Sequence, residues 1–586
     1  MRNIVRFGTW LFCLSLATTA LAHGTQPEYA VKQNFDVRIP MRDGVELSVD
    51  MFMPEAEGRF PAILIRTPYD NNLYHRNGYG PYFAQRGYVF IVQDVRGRGD
   101  SDGKFDPFVN EARDGYDTQE WIGRQPWSNG KIGSFGGSYV GFVQVAAATL
   151  KSKYYAAMVP EVVPPDFFLN FPYQNGALMM SSLEWVALID GRTMQNIADL
   201  NWEKIYRHLP VMDLDREAGR ESFFWREWTQ HPTWDDYWDE RCYQAKLANV
   251  HIPAIHITGW YDDDQPGCIR NFMTMFEHAK AIGEDKNQKL IIGPWPHSFN
   301  KSQKLGDVDF GKDSIIDLQK LYLMWFDYWL KGQETGVLDM PPVRLFVMGD
   351  NVWRDENEWP LKRTVYTDYF FHSDGRANSL MGDGRLSMSP PKKESPDKYL
   401  YDPSYPVPFI YNPASLQLGT NEDQRPVERR DDVLCYTSEE LPEDLEVTGP
   451  LKVKLYISSN ATDTSFFARL VDVHPNGYAM RIADNICQTR FRNSYRTPEA
   501  IIPGHVYELD VDLWATSLVF KKGHKIRVEV TSSAFPKFAR NLNMGDDSLS
   551  GTQMKTAEQT IWHDSLHASH IVLPVIPRRT IRAGVK

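Results

Sequence analysis

A single serine set among glycines, in residues 131–141 (KIGSFGGSYVG), constrains the fold of this chain more than any other feature. A strand-like approach precedes Ser138 and an apolar run suited to a helix follows it, which is the order that a nucleophile elbow requires. Glycines permit backbone angles that a Cβ forbids, and a helix N-terminus offers N–H groups to a developing oxyanion. Ser138 is therefore the candidate nucleophile.

The pattern departs from the strict G-x-S-x-G form of the elbow. Val140 holds the place of the second glycine, and Gly141 comes one residue later. A glycine-rich loop with no chemical role is the alternative interpretation, because short patterns of this kind also occur by accident. The elbow must therefore be tested against its expected partners.

Length and charge bound the class of protein. A chain of 586 residues is too long for one core, and its length predicts about two to four domains. The formal net charge of −12 argues against a nucleic-acid partner, because phosphate binding needs a basic stripe. The 17 Trp and 28 Tyr residues favour aromatic-lined clefts. We expect a small-molecule substrate, and a homo-oligomer is left open.

The first 22 residues are typical of a secretory signal peptide. A basic start and an apolar run at residues 11–17 lead to an A-x-A cleavage pattern at residues 20–22. We expect the mature chain to begin near His23 and the protein to be secreted or periplasmic. No later stretch approaches the roughly 20 apolar residues of a membrane span, so none is predicted.

Four cysteines follow the predicted signal peptide: Cys242, Cys268, Cys435 and Cys487. They lie far apart and show no metal-ligand spacing. A chain of this size does not need disulfides, although an exported protein permits them. Cys435 and Cys487 are a candidate pair.

Strand and helix patterns alternate on both sides of the elbow. Residues 61–65 and 88–93 are apolar runs typical of strands buried on both faces, and residues 111–122 predict a helix that leads into the elbow strand. This alternation predicts a mostly parallel sheet with helices on both faces. In such a sheet, ligands bind beyond the carboxyl ends of the strands.

Two later strands end in candidate partners for the serine. Residues 253–261 are followed by Asp262, Asp263 and Asp264, and residues 289–296 are followed by His297. The resulting order of serine, aspartate and histidine is the order found on α/β-hydrolase folds. Asp262 is the candidate acid because it comes first after its strand, and His297 is the candidate base. If Asp262 is the acid, Asp263 and Asp264 would form a solvated turn or contact a cationic group.

Five motifs in this order resemble the CocE/NonD hydrolases, a group related to the X-Pro dipeptidyl-peptidases. It contains cocaine esterase, α-amino-acid ester hydrolases and glutaryl-7-aminocephalosporanic acid acylases. The motifs are RTPY at 66–69, DVRGRGDS at 94–101, GGSYVG at 136–141, GWYD at 259–262 and GPWPH at 293–297. The resemblance extends from about residue 35 to the C-terminus.

The resemblance implies roles for five residues. Ser138, Asp262 and His297 would form the catalytic triad, and the backbone N–H of Tyr139 and the hydroxyl of Tyr69 would form the oxyanion hole. A rigidly held phenol is able to donate a hydrogen bond to an oxyanion. Without the resemblance, Tyr69 would be taken for a packing residue.

The expected fold class is α/β, namely an α/β-hydrolase core with an inserted helical cap and a C-terminal β-sandwich. Residues 164–249 are helical and aromatic, and their place between the elbow and the acid suits a cap; a helical unit packed to one side is the alternative. From residue 343 onward, short alternating strands predict an antiparallel sandwich, which the resemblance makes a jelly roll. The predicted boundaries are 1–22 for the signal peptide, 23–163 and 250–345 for the core, 164–249 for the cap and 346–586 for the jelly roll.

The predicted function is acyl transfer from an ester or amide to water through an acyl-enzyme, with no metal or organic cofactor. The acyl groups considered are α-amino acyl esters and the side-chain acyl groups of β-lactams. The alternatives are an X-Pro dipeptidyl-peptidase and, outside the enzymes, a carbohydrate-binding or inactive scaffold protein. Fluorophosphonate labelling of Ser138 would separate enzyme from scaffold.

The substrate is less constrained. By the resemblance, α-amino-acid ester hydrolases hold the substrate ammonium with acidic residues two and three positions after the triad aspartate. Asp264 keeps the first of these positions, whereas Gln265 replaces the second. A third carboxylate would come from the start of the cap, where Asp166 and the neutral Asn170 are the candidates. Asp264 is accordingly the candidate substrate-binding residue.

Overall fold

A computed structural model describes residues 24–73, 77–411, 421–545 and 549–577. The predicted signal peptide lies outside the described residues. The first part of the chain forms strands β1 to β14: Val31–Pro40, Glu46–Pro54, Phe60–Thr67, Val89–Asp94, Ser128–Gly137, Tyr155–Glu161, Tyr173–Gln174, Ala177–Leu178, Ala254–Tyr261, Gln288–Pro296, Lys304–Leu305, Val308–Asp309, Val343–Val347 and Val352–Glu356.

Helices follow several of these strands. In chain order α1 to α11 are Tyr79–Ala84, Glu111–Gly123, Tyr139–Ala148, Ser181–Ile189, Trp202–Arg207, Leu214–Glu217, Phe223–Gln230, Asp236–Arg241, Gln265–Ala281, Leu318–Lys331 and Arg425–Glu428. Short 3₁₀ turns lie at Val211–Asp213, Gln244–Asn249, Asp285–Asn287, Lys312–Ser314, Val337–Asp339 and Thr489–Phe491.

A ten-stranded sheet in the order β1-β2-β4-β3-β5-β6-β9-β10-β13-β14 carries the candidate site. The strands from β4 to β13 in that order are parallel, and antiparallel strands close both edges. Parallel strands end at one edge of the sheet, so residues that follow different strands come together there. The predicted parallel core is confirmed.

Both faces of this sheet are covered by helices, as alternate side chains along β3 show. Leu64 packs in the same apolar cluster as Val143 of α3, whereas Ile63 and Ile65 pack in the cluster that contains Phe326 of α10. Successive side chains of a strand point to opposite faces. This is why residues 61–65 are apolar without interruption.

The C-terminal part is an all-β sandwich of 11 strands, and the predicted fold class is confirmed. Strands β15 to β25 are Val365–His372, Arg385–Ser387, Asp397–Tyr401, Leu434–Thr437, Leu445–Ser459, Ser465–Val473, Ala479–Gln488, Tyr507–Phe520, Lys525–Thr531, Ala557–Trp562 and His570–Ile576. The predicted boundary at 345/346 falls inside β13. Strand β13 pairs with β10 and β14 extends the same sheet, so both strands belong to the core sheet.

The candidate disulfide between Cys435 and Cys487 is wrong, since all four described cysteines are free thiols. Cys435 lies on β18 and Cys487 on β21, and the sheet order β18-β23-β20-β21 places two strands between them. Three strand spacings are about 14 Å, whereas a disulfide needs Cα atoms within roughly 7 Å.

Within the ranges that the structure describes, no helix is both long enough and apolar enough to cross a bilayer.

Candidate active site

The nucleophile candidate occupies a strained turn between strand and helix. Ser138 directly follows β5 and precedes α3, with φ 61° and ψ −129°. A non-glycine residue rarely adopts a positive φ, and such strain is found where surrounding structure imposes it. The backbone N–H of Ser138 donates to the carbonyls of Glu161 (2.9 Å) and Val162 (3.1 Å). These hydrogen bonds fix the elbow against β6.

The displaced second glycine of the motif has a packing reason. A Cβ on Gly141 would lie 2.5 Å from Cγ2 of Val163 and 2.9 Å from the carbonyl oxygen of Glu161. Helix α3 therefore packs too closely on the end of β6 at position 141 to admit a side chain, and this position is one later than the strict pattern expects. Val140 is buried instead, and the elbow geometry is kept.

The acid candidate is held by three hydrogen bonds. Oδ1 of Asp262 contacts Nδ1 of His297 at 2.8 Å and accepts the backbone N–H of Asp264 at 3.0 Å. Its Oδ2 accepts the hydroxyl of Thr258 at 2.7 Å. Asp262 directly follows β9, and its side chain is fully buried. A carboxylate so fixed orients the imidazole in one tautomer, with the proton on Nδ1.

The base candidate, His297, directly follows β10. Burial works to lower the pKa of His297, but the hydrogen bond and negative charge of Asp262 outweigh it and raise that pKa to about 9. Asp264 adds to this effect, with its Oδ2 3.6 Å from Nδ1 of His297. The carboxylates therefore stabilise the imidazolium that forms when the histidine takes a proton.

The phenol of Tyr69 lies beside the nucleophile. Its oxygen accepts the indole N–H of Trp185 at 3.0 Å and is within hydrogen-bonding reach of Ser138. Burial raises the pKa of Tyr69, ahead of the opposing hydrogen bonds, so the hydroxyl keeps its proton and remains a donor. Tyr69 follows β3 by two residues.

The hydroxyl of Tyr139 is committed to partners other than the substrate. Its hydroxyl donates to Glu111 at 2.7 Å and accepts the backbone N–H of Phe108 at 3.0 Å. Tyr139 is the first residue of α3, where backbone N–H groups have no partner within the helix. The anchored ring therefore leaves the N–H of Tyr139 as the group offered to an oxyanion.

A cavity of about 130 Å³ lies over these residues. Its apolar wall combines Phe108 of the core with residues of the region between the elbow and the acid. The complete lining is Tyr69, Phe108, Ser138, Tyr139, Pro164, Phe171, Met179, Ser181, Trp185, Asp263, Asp264 and His297. A small substrate with an aromatic or alkyl body fits such a wall.

One carboxylate, Asp264, is buried beside the base within the cavity. Burial raises the pKa of Asp264. The amide of Asn170 hydrogen-bonds to Asp264 and donates to the backbone carbonyl of Asp263. Asp263 and Asp264 therefore do not form a solvated turn, since both line the cavity beneath the cap.

The other candidates for an ammonium-binding cluster are committed elsewhere. Asp166 pairs with Arg270 at 2.6 Å and accepts the N–H groups of Phe168 and Leu169. Gln265 donates to the carbonyl of Ala515 at 2.9 Å and accepts its N–H at 3.0 Å, which ties the acid loop to β22. The site thus holds Asp264 with the neutral Asn170.

The sequence alone does not single out two residues that shape this site, Trp185 and Asn170. Trp185 was one of many aromatic residues of the predicted cap, and only its indole hydrogen bond to Tyr69 distinguishes it. Asn170 was one of two candidates, and the choice depends on which side chain turns toward Asp264. The five residues predicted for the triad and the oxyanion hole lie together at the carboxyl ends of β3, β5, β9 and β10.

Comparison with known proteins agrees with this architecture. The family model described as X-Pro dipeptidyl-peptidase (S15 family) matches residues 43–299, and the X-Pro dipeptidyl-peptidase C-terminal non-catalytic domain matches residues 335–572. The chain is 37% identical to cocaine esterase of Rhodococcus sp. (strain MB1 Bresler) over 94% of this chain and 99% of that protein.

Two solved structures are similar over nearly the whole chain. An α-amino acid ester hydrolase superposes with a TM-score of 0.82 at 25% identity, covering 97% of this chain and 100% of that one. An aminopeptidase from a marine sediment archaeon, Thaumarchaeota archaeon, superposes with a TM-score of 0.83 at 24% identity, covering 98% and 99%. The second likeness bears on the fold alone.

Proposed function

The chain belongs to the CocE/NonD hydrolases of the X-Pro dipeptidyl-peptidase (S15) family and is a serine hydrolase, and on that premise we propose that Ser138, His297 and Asp262 are its catalytic triad. The observation that carries the proposal is the strained Ser138 elbow in a cavity shared with an imidazole that Asp262 orients. Strain at this turn keeps the hydroxyl presented to substrate.

The proposed reaction has two acyl-transfer steps. Nε2 of His297 takes the hydroxyl proton of Ser138 as the serine oxygen attacks the carbonyl carbon of the substrate. The imidazolium then protonates the leaving alcohol or amine. Water, deprotonated by the same histidine, attacks the acyl-enzyme and releases the acid. The hydroxyl of Tyr69 and the N–H of Tyr139 stabilise the oxyanion in both steps.

For the substrate, we favour esters with a neutral aromatic or alkyl acyl group. The cavity wall includes Phe108, Phe171 and Trp185. The positions expected to hold a substrate ammonium are reduced to Asp264, because Gln265 and Asp166 are bound to the protein itself and Asn170 is neutral. Asp263 also lines the cavity, but it faces the cations Lys537 and Arg481. Because Asp264 also contacts His297, these two carboxylates offer a weaker ammonium site than a cluster of uncommitted carboxylates.

Dipeptidyl-peptidase action is the second candidate. The observation in its favour is Asp264, a buried acidic side chain at the cavity that would pair with the terminal ammonium of an X-Pro substrate. A hydrolysis panel separates the two. The kcat/KM for simple aryl esters should exceed that for α-amino acyl esters, glutaryl amides and X-Pro anilides. A higher kcat/KM for X-Pro anilides than for aryl esters would favour the peptidase.

A fluorophosphonate probe tests the nucleophile directly. Intact protein and a Ser302→Ala variant, which alters an exposed serine five residues after His297, should be labelled. Ser138→Ala should not be labelled, and modification mapped to another residue would refute the proposed triad.

We also propose that residues 1–22 direct export. The basic start, apolar run and A-x-A pattern support it. N-terminal sequencing of protein recovered outside the cytoplasm should begin near His23. Recovery of the protein with Met1 intact and only inside the cell would contradict the proposal.

A further inference from the structure

A second group of ligand-type side chains lies in the β-sandwich, where β20 ends and β23 begins. Asp472 is the next-to-last residue of β20 and His474 follows that strand, while His524 precedes β23. Across the described parts of the chain, these three form the only group of His, Cys, Asp and Glu residues whose ligand atoms all lie within 4.8 Å of one another.

The strand register explains why these residues meet. In the antiparallel pair β20–β23, Asp472 lies opposite Ile526 and Val473 opposite Lys525. Extending this register by one residue puts His474 opposite His524. Side chains two residues apart on a strand share a face, so Asp472 and His474 project to the same side of the sheet, and His524 joins them from the neighbouring strand.

The distances suit a shared cation. Nδ1 of His524 is 2.8 Å from Oδ1 of Asp472, and Nε2 of His474 is 3.6 Å from Oδ2 of the same carboxylate. The two imidazole centroids are 4.4 Å apart. Ligands of a tetrahedral zinc ion at about 2.0–2.1 Å lie about 3.4 Å from one another. The two separations between ligand atoms, 2.8 Å and 3.6 Å, lie below and above that value.

One ligand atom of the group has no hydrogen-bond partner in the described protein, while Nδ1 of His524 and Oδ1 of Asp472 hydrogen-bond to each other. Nε2 of His474 is shielded from solvent and has no hydrogen-bond partner among the described residues. Asp472 is buried. A buried nitrogen without a partner calls for an explanation, such as an ion.

The surroundings leave room for a cation and for a further ligand. His474 lines a cavity of about 350 Å³ together with Lys525 and Arg527. Arg527 pairs with Glu428 at 2.6 Å, and Lys525 lies 3.7 Å from Glu440. The positive charges near the cluster are thus balanced, and the cavity gives solvent access to it.

We propose that Asp472, His474 and His524 bind one divalent transition-metal cation, best matched by zinc, with water from the cavity as the fourth ligand. Two imidazoles and a carboxylate are donors that Zn²⁺ accepts, whereas Mg²⁺ and Ca²⁺ prefer oxygen ligands throughout. The cation would join the end of β20 to the start of β23. It stabilises the β-sandwich and takes no part in the acyl transfer.

The test uses full-length, tag-free protein treated with a chelator and dialysed. Calorimetric titration with ZnCl₂ should show one tight equivalent, and CoCl₂ should give the visible absorption of four-coordinate cobalt. Zinc should also raise the thermal midpoint. His474→Gln and His524→Gln should each weaken zinc binding by at least about 10- to 100-fold, the loss typical of even an outer-shell partner, and should abolish the cobalt spectrum.

A matched control is available in the same chain. His251 and His278 also lie close together, with ring centroids 4.7 Å apart, but the described residues supply no third ligand to them. His278→Gln should therefore leave the cobalt spectrum unchanged. Absence of a tight equivalent in wild-type protein, or wild-type binding by the two cluster variants, would overturn the proposal. If a cluster variant fails to fold, the wild-type cobalt spectrum and the zinc-dependent midpoint decide.

Discussion

Ser138, His297 and Asp262 have a counterpart inside the β-sandwich, where Ser373, His563 and Asp397 repeat the same set of side chains. Oγ of Ser373 is 3.1 Å from Nε2 of His563, and that nitrogen is 2.9 Å from Oδ2 of Asp397. The likeness extends further. Tyr436 supplies a phenol there as Tyr69 does at the cavity, and Glu394 supplies a second carboxylate as Asp264 does.

The two clusters differ in access and in the backbone conformation of the serine. Ser373 and His563 are each 1% exposed. The hydroxyl of Ser373 lies 2.8 Å from both oxygens of Asp397 and donates to the carboxylate rather than to a base. Ser138 instead has a positive φ and lines a cavity. Residue types and hydrogen-bond lengths therefore do not distinguish the candidate site from the buried cluster, whereas backbone strain and access to the cavity do.

The largest expected contrast is between the two serines. Ser138→Ala should lower kcat by about 10⁶-fold, because nucleophile removal in a triad costs about that much, and should leave the thermal midpoint almost unchanged. Ser373→Ala should keep ester hydrolysis and lower the free energy of unfolding by about 1–3 kcal/mol, since it leaves buried polar groups without a partner. Initial rates and thermal melts of both variants measure the contrast.

The elbow assignment would fail if Ser138→Ala kept a large fraction of the wild-type rate. Loss of activity in folded Ser373→Ala would erase the distinction between the clusters. The control is Ser302→Ala, which changes an exposed serine outside both clusters.

The next contrast is between the acids. Asp262→Asn should lower kcat by about 10⁴-fold, because the wrong histidine tautomer is then favoured. Asp263→Asn should cost much less, since in the described structure the side chain of Asp263 is not hydrogen-bonded to His297 and its backbone carbonyl accepts Asn170. Asp397→Asn should affect stability alone. A larger rate loss for Asp263→Asn than for Asp262→Asn would move the acid one residue along.

How far the sequence predicts these features depends on how local their determinants are. Ser138, Asp262 and His297 each follow directly on a buried strand, so periodicity and chain order were enough to find them. Gly141 shows the limit, because its one-residue displacement is explained only by the closeness of α3 to β6. Local signals thus predict the candidate catalytic groups but not the reason for their spacing.

Features that depend on contacts distant in sequence were not predictable. Asn170 rather than Asp166 lies beside Asp264, because Asp166 is paired with Arg270. The group of Asp472, His474 and His524 spans some 50 residues and forms only through the register of β20 and β23. The wrong disulfide prediction has the same origin, since spacing along the chain does not reveal two intervening strands.

A smaller effect is expected from the phenols. Tyr69→Phe removes only the donor, so it should lower kcat by about 10²–10³-fold with little change in KM if the hydroxyl stabilises the oxyanion. Tyr436→Phe removes the phenol that donates to Asp397 at 2.8 Å and should leave kcat unchanged. An unchanged kcat in Tyr69→Phe would make its ring a packing group, held by Trp185.

The smallest effect concerns the second carboxylates and appears in the pH profile. The pKa of His297 is raised to about 9, and a general base must be neutral, so kcat/KM should rise with pH up to that value. Asp264→Asn removes a charge 3.6 Å from Nδ1 of His297. The rise of kcat/KM with pH should therefore move to lower pH by about one unit. This is the lower end of the usual range for a charge at this distance, because burial keeps Asp264 partly protonated.

Glu394→Gln is the matched change in the buried cluster, where Glu394 lies 3.2 Å from Nδ1 of His563. Burial works to lower the pKa of His563, but Asp397 and then Glu394 raise it above its ordinary value. A raised folded pKa contributes stability that is complete below the unfolded pKa and is lost as pH rises through the folded one. Glu394→Gln should weaken this dependence of stability on pH and leave the pH profile of activity unchanged.

The Asp264→Asn variant also tests substrate binding. A further loss of activity confined to α-ammonium substrates would show that Asp264 also binds substrate. Equal losses on aryl and α-amino acyl esters would limit its role to the charge of His297.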